Sequence, residues 1–114
     1  MMDVIGRKWV LEELENSEGN MEIPEGMVID LKIGDSRLAG WTGCNRYFAS
    51  YFDLGDGMLR IGVIGSTKAH CEGMMVAERT FYEAMEKVTR IIRDGEALIL
   101  CSLGDEIRLR FRPA

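Results

Sequence analysis

Apolar and polar residues alternate with a period of two through most of this chain, and the period breaks once. Short turn signals punctuate the alternation, with GDS at 34–36, LGDG at 54–57, DGE at 94–96 and LGDE at 103–106. Alternating runs between such turns are the signature of β-hairpins. They predict eight strands, at about 8–14, 27–33, 37–42, 46–53, 58–63, 90–94, 97–102 and 106–112. In MVIDLKI, Met27, Ile29, Leu31 and Ile33 share one face and Val28, Asp30 and Lys32 the other, a half-buried pattern. YFASYFDL is apolar on both faces, which predicts a strand covered from both sides. Near the end, Ile107, Leu109 and Phe111 alternate with Arg108, Arg110 and Arg112, so the arginines are expected on a solvated outer face.

The break lies in GMMVAERTFYEAMEKVTRII. Here Met74, Ala77, Phe81, Met85 and Val88 recur at spacings of three and four, while Glu78, Arg79, Glu83, Glu86, Lys87 and Arg90 fall on other faces. Glu83 with Lys87 and Glu86 with Arg90 are correctly oriented pairs for a helix over about 73–90, between the fifth and sixth predicted strands. The fold class is therefore mainly β (α+β): a small antiparallel β-barrel of about eight strands, with the helix plugging or covering an open end. Closure removes exposed edges, and an incompletely closed barrel would leave an edge able to pair with a second copy. A barrel of this size is filled by its own side chains, so a large ligand cavity is not expected.

The 114 residues predict a single domain spanning 1–114. A net charge of -5 argues against nonspecific nucleic-acid binding, which needs a clustered positive field. No run approaches the roughly 18 apolar residues of a membrane span. The start, MMDVIGRKWVLEELE, lacks the basic and apolar regions of a signal peptide, which predicts a soluble chain, either cytosolic or already processed. Three cysteines leave one unpaired even if two are bridged.

Candidate chemistry is sparse. DLGDG at 53–57 resembles half a calcium loop, but position twelve from Asp53 is Ile64 instead of the required Glu, so a hairpin turn is the better expectation. Zinc would have to draw on Cys44, His70, Cys71 and Cys101, which contain no C-x-x-C pair, and the adjacent His70 and Cys71 would point to opposite faces of a strand. A nucleophilic dyad could use Cys44 or Cys71 with His70, but nothing supplies the third, orienting group. No nucleophile elbow, phosphate loop or dinucleotide fingerprint occurs. The methionines beside the helix stripe are expected in the core. Cys44 and Cys71 remain candidates for a clasp, either bridged or packed as free thiols.

The run GCNRYFASY, the Thr67-to-Cys71 spacing in STKAHC, Glu78 and Phe81 in MVAERTFYEAM, and the opening GRKWVLEEL together resemble the META domain, also called the HslJ-like domain. The resemblance covers nearly the whole chain and keeps motif order. It places the family motif at Trp9, Leu11, Gly43, Cys44, Asn45, Arg46, Tyr47, Thr67, Cys71, Glu78 and Phe81, with Ala49 where the family usually has glycine, and with Ala69 and His70 in place of a methionine-rich stretch. It implies a β-barrel of lipocalin-like topology with a packed helix, and no enzymatic activity is established as a family property. It also implies links to heat-shock or antibiotic stress, and to virulence in the protozoan relatives. The resemblance favours the cell envelope or secretion. The absence of a signal peptide or lipobox from this chain leaves the cytoplasm open as well.

Together these expectations describe a noncatalytic module that binds a protein or envelope component, with no metal, cofactor or nucleic acid. The alternative is a binder of a small apolar ligand at the barrel mouth, around Trp41, Tyr47, Phe48 and Tyr51.

Overall fold

The alternating segments pair, in the computed structural model, into one antiparallel sheet of ten strands. The structure describes residues 2–114; Met1, the first residue of the predicted 1–114 domain, lies outside them. The strands are β1 (Lys8–Asn16), β2 (Gly19–Asn20), β3 (Asp30–Ile33), β4 (Arg37–Trp41), β5 (Arg46–Gly55), β6 (Met58–Ile61), β7 (Gly65–Ser66), β8 (Arg90–Asp94), β9 (Ala97–Cys101) and β10 (Arg108–Pro113). Their order is β10-β9-β8-β6-β5-β4-β3-β1-β2, with β7 on β5, and β10 also pairs with β1, so the ladder returns to its start. The thinnest seam joins β6 to β8 through the single register pair Met58 and Arg90. Backbone bonds from Leu59 N–H to Thr89 O (3.0 Å) and from Ile91 N–H to Gly57 O (2.8 Å) flank it.

Eight strands were expected. The two additional ones, β2 and β7, are two residues each and too short to carry a legible alternation. They also correct the helix position: α1 (Met75–Glu86) follows β6 and β7, and does not stand between the fifth and sixth strands. The helix is shorter than 73–90 at both ends. Gly73, at φ +80°, breaks the chain direction before it. After Lys87 the chain runs VTRII, and these mostly β-branched residues enter β8. Arg90 is therefore a strand residue and Lys87 the helix cap, and neither expected carboxylate–cation pair on the helix forms among the described residues.

One core fills the inside of the sheet. Met27, Ile29, Leu31 and Ile33 are all buried on one face, as their alternation predicts. The helix contributes Ala77, Phe81, Ala84 and Met85 to the same cluster as Trp9, Leu14, Leu109 and Phe111. In β1 the register shifts between Leu11 and Glu13, placing Glu12 and Glu13 both outside while Leu11 and Leu14 both turn inward. Arg110 lies on the outer face beside Asp94 (3.0 Å) and Glu12 (3.7 Å), as the alternation of β10 requires.

The expectation for YFASYFDL is corrected. Tyr47, Ala49 and Tyr51 are buried, but Phe48 and Phe52 are 48% and 55% exposed. Among the described residues no second layer covers this face. Arginines from neighbouring strands lie over the rings instead, Arg37 over Phe48 at 5.5 Å and Arg60 over Phe52 at 5.8 Å.

At Gly40 the fold uses the missing side chain directly. A Cβ there would collide with the backbone carbonyl of Asp30 and would stand 2.5 Å from the Tyr47 hydroxyl. Gly40→Ala is expected to cost about 2 kcal/mol, because backbone cannot yield as a flexible side chain does. Chemical denaturation checks this, and a variant of wild-type stability would refute it.

Candidate functional site

Residues 42–45 form a tight turn between β4 and β5, closed by Thr42 N–H donating to Asn45 O at 3.0 Å. Gly43 occupies the turn at φ +95°, a conformation that favours glycine. The Thr42 hydroxyl oxygen accepts the N–H groups of Cys44 (3.2 Å) and Asn45 (3.0 Å), and the hydroxyl donates to Glu78 Oε2 at 2.6 Å.

Asn45 is the hub. Its Oδ1 accepts the Thr67 hydroxyl at 2.8 Å and the Ala69 N–H at 2.7 Å. Its Nδ2 donates to Ala69 O at 3.0 Å and faces both Glu78 carboxylate oxygens at 3.1 Å. Thr67 Oγ1 in turn accepts the Arg46 N–H at 3.1 Å. Thr42, Asn45 and Glu78 are all buried, and among the described residues no lysine or arginine lies within salt-bridge reach of Glu78. Buried polar groups need such partners, and here each is supplied by the turn, by the 67–69 segment or by the helix.

Cys44 and Cys71 are joined by a disulfide, with their Cα atoms 5.8 Å apart. The bridge ties the turn to the segment leading into α1 and takes up both thiols that a dyad or a zinc site would have used. His70 is exposed beside it, and the third cysteine, Cys101, is a buried free thiol.

Seven of the motif residues thus converge at this clasp: Gly43, Cys44, Asn45, Arg46 (through its backbone), Thr67, Cys71 and Glu78. Tyr47 and Phe81 lie directly beneath, their rings meeting edge to face at 5.3 Å. Trp9 is elsewhere, fully buried, with its indole N–H donating to Val4 O at 3.4 Å. The periodicity assigned Glu78 to an outer face of the helix, and the structure buries it. Thr42 and Tyr82 were not singled out. Thr42 has a legible signal, a hydroxyl residue just ahead of a glycine turn. Tyr82 has none. Its hydroxyl is buried against Ser66, Thr42 and Glu78 without a hydrogen bond of full geometry, and it faces a cavity of about 340 Å³. Burial, together with the nearby Glu78 carboxylate, pushes its phenol up.

The four residues expected at a mouth divide between two faces. Tyr47 and Tyr51 point inward, their hydroxyls donating to the carbonyls of Asp30 (2.6 Å) and Gly34. Trp41 and Phe48 point outward and line an open groove of about 780 Å³.

Burial, and then the neighbouring Asp30, hold the Tyr47 phenol well above its ordinary value of 10.0. A phenol raised in the folded state stabilises the fold fully below pH 10, the unfolded value. That stability is lost as the pH rises above 10, because the unfolded chain then releases a proton that the folded chain retains. In an alkaline titration the phenolate absorbance of Tyr47 should therefore appear only together with loss of the far-ultraviolet circular dichroism. Ionisation of all three tyrosines near pH 10 with the fold intact would contradict this.

Three solved structures match almost the whole chain, two of which carry a named source. A protein from Burkholderia xenovorans, determined by NMR, is 26% identical with a TM-score of 0.78, over 99% of this chain and 85% of that one. A DUF4847 family protein from Bacteroides vulgatus is 14% identical with a TM-score of 0.66, over 96% of this chain and 93% of that one, a likeness of fold alone. No curated protein matches. The model of the META domain matches residues 2–114, the same span that carries the clasp, the buried tyrosine and the covering helix. The chain belongs to the META domain family.

Proposed function

We propose that this domain is a noncatalytic binding module that engages a protein or envelope component, in a role connected with stress tolerance. The observation that carries the noncatalytic reading is the use made of the motif. Cys44 and Cys71 are spent in the bridge, and Asn45, Thr67 and Glu78 are held by one another and by backbone groups. Such an arrangement fixes structure. A nucleophile needs a free thiol or hydroxyl with a base beside it. The returning ladder of strands supports a small barrel of lipocalin-like topology, with an interior filled by Trp9, Phe81, Phe111 and their neighbours.

A panel of ester, peptide and glycan substrates is expected to show no steady turnover. Turnover that disappeared in Cys44→Ala or His70→Ala would overturn the reading. The second reading, a small apolar ligand, is favoured by the outward rings of Trp41 and Phe48. It predicts a change in Trp41 emission when apolar dyes or lipids are added, and an unchanged spectrum across the panel would remove it.

A further inference from the structure

We propose that the outer groove over β3, β4 and β5 binds a small polyanion carrying a planar ring, the chemistry of a nucleotide. The proposal adds a ligand to the binding reading above and rests on that reading only in supposing that the ligand is held, not transformed.

Charge is the first observation. Lys8, Lys32, Arg37 and Arg46 line the groove, and Asp30 is its one carboxylate. Asp30 is already engaged, since its Oδ1 accepts the backbone N–H of Trp41 at 2.9 Å and its Oδ2 faces Lys8 at 3.5 Å. Arg37 and Arg46 enter no ion pair among the described residues. In a chain of net charge -5 this is a local positive excess, complementary to a ligand with several negative charges.

Preorganisation is the second. Arg46 lies over the Trp41 ring at 5.7 Å and Arg37 over Phe48 at 5.5 Å. A guanidinium seated on a ring has lost much of its rotamer freedom while its N–H edge stays available for a bidentate phosphate contact, and its outer plane stays available for stacking. The register makes Trp41 the cross-strand partner of Arg46, and Ala39 that of Phe48. Alternate residues on a strand lie about 6.8 Å apart, so Arg46 and Phe48 on β5 set anion and ring contacts one such step apart. Among the lining residues Ala39 is exposed and too small to obstruct a flat group.

The same geometry disfavours other occupants. β4 is hydrogen-bonded on both sides, so this face offers no edge to an added peptide strand. The rings lie beneath the guanidiniums, whereas a bilayer calls for apolar groups projecting beyond the cations. The size of the groove, about 780 Å³, is that of a small-molecule site.

The test is calorimetric titration of the whole chain with ATP, in parallel with adenosine, tripolyphosphate and a short single-stranded DNA, with tryptophan emission recorded alongside. Trp9 is fully buried, so a change in emission reports Trp41, and Trp41→Phe should abolish it. ATP is expected to bind once per chain, at least about tenfold more tightly than adenosine or tripolyphosphate, because both the ring and the anion contacts contribute. The exposed double substitution Arg37→Gln with Arg46→Gln should weaken ATP about 100-fold while the far-ultraviolet circular dichroism stays native. The DNA should bind no more tightly than ATP. Absence of ATP binding at millimolar concentration, equal affinity for tripolyphosphate, affinity unchanged in the double variant, or affinity that grows with DNA length would each overturn the proposal. Product formation is followed in the same samples. Hydrolysis of ATP would defeat the noncatalytic reading and leave the site standing, whereas failure to bind would remove the site and leave that reading untouched.

Discussion

Removal of the Cys44–Cys71 bridge is expected to lower the unfolding free energy by roughly 3.5 kcal/mol, the loop-entropy value for a separation of 27 residues. Small domains have about 5–15 kcal/mol in total, so this one contact would account for a quarter or more of the margin. The effect acts mainly on the unfolded chain. In the folded state Asn45 still holds Ala69, and Glu78 still joins the turn to the helix, so the two thiols stay close after reduction. Native far-ultraviolet circular dichroism should therefore survive in reductant while the denaturant midpoint falls. The double variant Cys44→Ala with Cys71→Ala should reproduce that fall, and adding reductant to it should do nothing more. A fall below about 1 kcal/mol would show that the segment is already confined in the unfolded chain, and the entropic account would fail.

The same bridge shows which parts of this protein could be read from its sequence. The inward faces were legible, since Met27, Ile29, Leu31 and Ile33 alternate and all four are buried. So was the change of period near residue 74, and the motif positions that form the clasp follow in order along the chain. Whether the two cysteines were bridged was not legible, because it depends on a 5.8 Å approach between segments 27 residues apart. Glu78 was assigned to an exterior face because a charged residue normally sits there. Its partners, Thr42 and Asn45, lie 36 and 33 residues earlier, and only the folded chain brings them to it. The pattern in YFASYFDL predicts Phe48 and Phe52 as buried, because nothing in the sequence shows that arginines on adjacent strands lie over them. Local pattern specifies which face a residue occupies, and the tertiary register decides what covers that face.

Clasp and groove share a boundary. Trp41 and Arg46, which form one wall of the groove, are the residues just outside the 42–45 turn that the clasp fixes. The geometry of a stacked guanidinium depends on that turn being rigid. The motif, though internal, therefore has a direct mechanical link to the outer surface, and a variant that loosens the turn should disturb Trp41 emission even where the fold survives.

Asn45 is the position at which that link is tested most severely. Asn45→Ala removes the bonds to Thr67, to both backbone groups of Ala69 and to Glu78, and leaves a buried carboxylate with the Thr42 hydroxyl alone. An expected loss of about 3–5 kcal/mol follows from several buried groups left without partners. Asn45→Asp is more informative because it keeps the shape and the Oδ1 acceptor, but sets an oxygen where Nδ2 stands 3.1 Å from the Glu78 carboxylate. Two carboxylates at that distance cannot both ionise cheaply, so the folded variant holds a proton that the unfolded chain releases above a pH of about 4. A group that binds its proton more tightly when folded contributes stability at low pH and loses it as the pH rises, by up to about 1.4 kcal/mol per unit. The deficit of Asn45→Asp relative to the wild type should therefore be small near pH 4 and widen towards pH 8. Denaturant titrations across that range decide it, and two parallel stability profiles would mean that Asn45 and Glu78 are not in contact.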